Sequence, residues 1–137
     1  TGAAGAPYVN GILSVAYLED ADSPRWDNDP AMRQYRTIVE RYLPGRNSRD
    51  GQIYYGVAKA ETFVQALYKA GKKPTRASLM AALLSLNSTN RFALPGVAVK
   101  TSARDHWIIS HMQLQRYNSS GTGTWVPVGN LVDGRPR

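Results

Sequence analysis

Residues 11–17, Gly-Ile-Leu-Ser-Val-Ala-Tyr, form a short apolar run of the kind buried on both faces of a mostly parallel sheet. Such a strand needs parallel neighbours, and the rest of the chain offers none. Three helical patterns follow it directly, and everything after Leu94 alternates as antiparallel strands do. The expectation is an α/β chain that is part of a larger domain: one buried strand, three helices, then an antiparallel hairpin.

The helices are legible from their caps. Asp29-Pro30 supplies an N-cap and the first helical position at which proline is welcome; Met32, Tyr35, Val39, Tyr42 and Leu43 follow at helical spacing until Pro44-Gly45. A second helix is expected from about Gln52. Its apolar stripe is read as Val57, Ala60, Val64 and Leu67, broadened by Phe63 and Ala66, with Gly71 as its stop. Thr75 caps a third, carrying Leu79, Met80, Leu83, Leu84 and Leu86. Beyond the Leu94-Pro95-Gly96 turn, alternation predicts strands at 97–101, 107–117 and 125–128, a turn at 118–124 and a frayed tail at 133–137.

The composition excludes several function classes. Without cysteine there is no disulfide scaffold, thiol nucleophile or thiolate zinc site, and two histidines leave little for any other metal centre. No metal or other cofactor is expected. The net charge of +7 raises a nucleic-acid-binding module as the alternative class. Its arginines are scattered singly, with Lys72-Lys73 the one adjacent lysine pair, and they mark no single helix face, so no nucleic-acid partner is expected. The small, featureless opening reads as a cut edge and leaves the compartment open.

Five elements carry a resemblance. Tyr54-Tyr55-Gly56-Val57-Ala58 opens a helix that ends at Ala70-Gly71; Pro74-Thr75-Arg76 caps the next; Leu94-Pro95-Gly96 precedes a strand; Asp105-His106 comes before another; Trp125 marks the last. In that order they resemble the closing part of the type I periplasmic solute-binding proteins, the branched-chain amino-acid receptor family of ABC importers, from Gly11 to about Gly134. The resemblance implies a non-enzymatic, periplasmic or membrane-anchored receptor of two α/β lobes that close on a small solute and dock on an ABC permease. Residues 1–28 would end the C-terminal lobe, 29–100 would be helices packing toward the N-terminal lobe, and 101–137 would be the hinge return and closing hairpin. The crossing between lobes requires 11–17 and 107–117 to lie in different sheets. Cut from its lobe, the isolated chain is expected to self-associate through its bare first strand.

By position in that family, Asn10 and Tyr17 bracket the first strand near the cleft, and Tyr54 and Tyr55 sit at the entry of the second helix, where their rings would cover an apolar part of a ligand. Alternatively both tyrosines simply pack the lobe. Asn10 occupies a position resembling one that holds a ligand-amine-binding carboxylate in amino-acid receptors, and an amide supplies no charge. Uncharged or acid-only ligands are therefore favoured.

Other motifs read as structural. Asp105-His106 with Ser102 or Ser110 lacks a nucleophile elbow and an oxyanion donor, so a turn is expected there rather than a triad. His111 reads as an ordinary strand residue. The acidic loop from Asp20 has Arg25 where a calcium loop needs glycine and Ala31 at its final acidic position. Gly121 and Gly123 lack the third glycine of a phosphate cradle and precede a strand.

Overall fold

The computed structural model describes residues 5–121 and 123–135. It divides into two compact units: one takes the described residues up to Tyr17 and from Ser110 onward, the other is Leu18–Ile109.

In the second unit, α2 (Pro30–Tyr42) begins where the sequence places its cap. The Asp29 carboxylate accepts from the backbone N–H groups of Ala31 and Met32 at 2.7 and 3.1 Å, meeting donors that the first turn leaves free. Asp29→Ala is expected to cost about 1 kcal/mol, read as a lower urea midpoint at unchanged slope. The next helix, α3 (Gly51–Ala70), is capped by Asp50 and stopped by Gly71, whose φ of 93° suits a residue without Cβ. Thr75 and Ser78 form a reciprocal capping box at the head of α4 (Arg76–Leu83). Two short strands, β2 (Asn87–Thr89) and β3 (Ala98–Lys100), then pair antiparallel. The apolar pattern shows only β3, because Asn-Ser-Thr carries no strand-like hydrophobicity.

The buried stripe of α3 differs from the expected one. Tyr54, Ala58, Thr62 and Ala66 face inward, while Ala60, Phe63 and Val64 are exposed. Small side chains explain the reversal, since they let neighbouring backbone approach the helix. Asn90, itself buried, donates its amide to the Ala58 carbonyl at 2.7 Å and to the Thr62 hydroxyl at 2.9 Å. Two clusters make up the core. One joins Ala21, Met32, Tyr35, Val39, Tyr54, Ala58 and Phe92; the other joins Ala66, Ala82, Leu86 and Val99.

In the first unit, a short helix α1 (Ala6–Val9) precedes β1 (Leu13–Ala16), which pairs antiparallel with β4 (His111–Asn118) in the register Leu13↔Arg116 to Ala16↔Gln113. On its other side β4 takes β5 (Thr124–Pro127) and, further along, β6 (Val132–Asp133). Several expectations fail here. Strands from 11–17 and 107–117 lie in one sheet, not two. The neighbour of β1 is antiparallel, and β1 is not buried on both faces: Leu13 is 54% and Val15 56% exposed. The chain leaves this unit after β1 and re-enters it just before β4, which sets the two strands side by side in opposite directions. The long strand starts at His111 rather than Trp107, because a Ser102–Asp105 turn and a Lys100–Ile108 backbone bond hold the preceding stretch. Asp133 and Arg135 are not frayed, since β6 pairs with β4 and the Arg135 guanidinium donates to Ser110 Oγ at 2.7 Å. Residues 1–4, Thr122 within the expected turn, and residues 136 and 137 of the tail lie outside the described residues.

Candidate functional site

The loop following β1, the heads of α2 and α3, and the 90–94 segment come together in the second unit. Glu19 N–H donates to the Phe92 carbonyl at 3.2 Å, and Leu18 bridges to Ala93. The Tyr54 hydroxyl lies 3.2 Å from Glu19 Oε2 and 3.1 Å from the same Phe92 carbonyl. The Tyr54 ring stands edge-on to Tyr35 and Phe92, with centroids 4.8 and 5.8 Å apart. At 1% exposure, Tyr54 is a wall of this core. Tyr55, one residue on, is 40% exposed, and the Lys59 ammonium sits 4.3 Å from its ring centroid.

The electrostatics follow from burial. Glu19 is 6% exposed, and desolvation, with the Asp29 carboxylate nearby, raises its carboxyl to about 7 against the opposing pull of the Tyr54 hydroxyl. Burial, reinforced by Glu19, likewise pushes the Tyr54 phenol far up. Asp27, by contrast, is held below the usual carboxylate range, first by its hydrogen bond from Arg36 at 2.5 Å and also by Arg49. Arg49 further donates to the Asp22 carbonyl at 2.9 Å, so these arginines fasten the loop to the helices. Arg91 pairs with Glu61 at 2.9 Å and donates to Gln34.

Asn10 and Tyr17 belong to the other unit. Asn10 is exposed and its side-chain oxygen accepts from Ser119 N–H at 3.1 Å; Tyr17 is half-buried. Of the four residues expected at a ligand, Tyr54 and Tyr55 therefore share the head of α3, and Asn10 and Tyr17 flank β1. The Asp105-His106 segment is a turn, in which Ser102 and Asp105 exchange backbone bonds, Asp105 accepts from Trp107 N–H, and the His106 ring reaches the Ala103 carbonyl at 3.3 Å. Ser110 Oγ instead lies 3.3 Å from His111 Nδ1, with Asp133 4.0 Å from the far ring nitrogen. Ser110 is buried and accepts from Arg135, which makes this group a clasp between β4 and β6.

Two residues escaped sequence reasoning. Glu19 reads as one more acid in a polar loop, and only the flanking Leu18 and Ala21 hint that the segment turns inward. Asn90 has no apolar pattern around it at all.

A sequence profile of the family described as periplasmic binding protein matches residues 2–122, nearly the whole chain. The chain belongs to that family. The branched-chain amino-acid receptor type read from the Tyr54-to-Trp125 elements is the type matched, and the mixed α/β fold, with its three long helices and antiparallel strands, is consistent with part of such a receptor. This periplasmic binding protein thus carries a solute-binding role in a non-enzymatic family, whose members point to an extracytoplasmic location. The shared sheet of β1 and β4 runs against the two-sheet crossing, so the assignment rests on the sequence match and not on strand placement. The chain matched no curated protein and no solved structure.

Proposed function

We propose that this chain is the C-terminal part of the substrate-binding component of an ABC importer, capturing a small organic solute, such as an amino acid or a related acid or amide, and passing it to a membrane permease. The family match across residues 2–122 carries this reading. Exposed apolar surface supports the idea that residues 29–100 pack toward a further lobe. Phe63, Val64 and Tyr68 lie open along α3, Tyr68 at 83% exposure, and Val64, Leu67, Tyr68, Gly71, Lys72 and Pro74 line a groove of about 650 Å³.

For the ligand contacts, Tyr55 offers an exposed ring backed by the rigid Tyr54 wall, and Asn10 and Tyr17 are the proposed contacts flanking β1. A neutral amide at Asn10 favours solutes without an α-ammonium group. Thermal-shift screening of the complete receptor against acids, amides and amino acids tests this, since a ligand that binds only the folded protein raises its melting point. Uncharged or acid-only compounds are expected to stabilise it most. With the best of them, Tyr55→Ala is expected to weaken binding by about 1–3 kcal/mol, roughly five- to 150-fold in Kd. Unchanged affinity would assign Tyr55 to packing, and a panel in which no solute shifts the melting point would sink the receptor reading.

A further inference from the structure

We infer that Glu19 is held as a neutral acid that donates its proton to the Tyr54 hydroxyl, and that its ionisation loosens the loop following β1 from the head of α3. The proton count carries this. A phenol has one hydrogen to give, yet the Tyr54 oxygen lies within 3.2 Å of both Glu19 Oε2 and the Phe92 carbonyl, and all three residues are buried. Were Glu19 a carboxylate, two acceptors would compete for one hydrogen and one would be left bare in the core, which costs its full desolvation. A protonated Glu19 removes the conflict: its O–H donates to the Tyr54 oxygen, and the Tyr54 O–H donates to Phe92. The Phe92 carbonyl also receives the Glu19 backbone N–H, so the relay closes on itself.

The surroundings favour the neutral form. From α2, Asp29 faces the node as a carboxylate occupied in capping, and the Tyr35 phenol lies beyond it against the Tyr54 ring. From α3 comes Tyr54 itself. On the 90–94 segment, Arg91 is engaged by Glu61 and Gln34, and on Glu19's own segment the Asp20 carboxylate accepts from Asp22 N–H. Because its acidity in the fold is shifted up to about 7 from an ordinary 4.5, Glu19 binds its proton more tightly folded than unfolded. The stabilisation is complete below about pH 4.5, declines as pH rises through about 7 and is absent above that.

Carbon-13 NMR of the protein labelled at the glutamate carboxyl carbons tests this directly, because the sequence holds three glutamates, Glu19, Glu40 and Glu61. One resonance is expected to titrate near neutrality and to vanish from the spectrum of Glu19→Gln. Amide exchange, corrected for intrinsic rates, is expected to accelerate about tenfold at Glu19 N–H between pH 5 and 8 in the wild type. Glu19→Gln, whose amide still donates to Tyr54, is expected to show no such change. Three carboxyls titrating between pH 4 and 5, or an acceleration that persists in Glu19→Gln, overturns the inference. The NMR titration of the wild-type protein stands even if the variant fails to fold.

Discussion

Tyr54→Ala is expected to remove about 4 kcal/mol of unfolding free energy from the helical unit, the upper range for deleting a buried aromatic. The ring is almost fully buried and stands edge-on to Tyr35 and Phe92, so the cavity would open at the centre of the larger core cluster. Its hydroxyl joins the loop after β1 to the 90–94 segment, and its loss strands both Glu19 and the Phe92 carbonyl. Tyr54→Phe separates the contributions: it keeps the ring and is expected to cost about 1–2 kcal/mol. Urea unfolding followed by far-UV circular dichroism measures both. A Tyr54→Ala loss below about 1.5 kcal/mol would mean that the site collapses around the deletion and that Tyr54 is not the wall described.

The second large effect concerns association. The 137-residue chain is expected to sediment as a dimer or larger species at tens of micromolar, because β1 has β4 on one edge and, among the described residues, no strand on the other. Leu13 and Val15 project from the same face and are more than half exposed. Pairing with a second copy would satisfy the open backbone edge and cover these side chains together. Val15→Lys places a charge there and is expected to weaken self-association at least tenfold, that is by about 1.4 kcal/mol or more. A wild-type chain that remains monomeric in the ultracentrifuge removes β1 as an association edge. Association unaffected by Val15→Lys would move the interface elsewhere, with the apolar face of α3 around Tyr68 the next surface to substitute.

Helix boundaries were legible because their signals are local. Asp29-Pro30, Thr75 with Ser78, and Gly71 each act on a backbone group within a turn of themselves. Which face of α3 turns inward was not, since bulk favoured Val57 and Val64 whereas the packing selected Ala58, Thr62 and Ala66 to admit Asn90 and α4. Strand pairing failed for a related reason. The apolar run at 11–17 shows that a strand forms but carries no direction for its partner, and its exposed residues look the same in sequence as buried ones. At the candidate site, the pair Tyr54-Tyr55 stood out by residue type, yet only the fold distinguishes the buried ring from the open one. Glu19 became visible only through a tyrosine 35 residues away.

The pairing of β1 with β4 also fixes an order of events during synthesis. Residue 16 lies opposite residue 113, so β1 emerges long before its partner exists, whereas every contact of the Leu18–Ile109 unit's core lies within that unit. The helical body can therefore form while β1 waits, and the sheet closes last, across the longest loop in the chain. During that interval the unpaired apolar strand is the segment of the nascent chain most open to a chaperone or to a neighbouring copy.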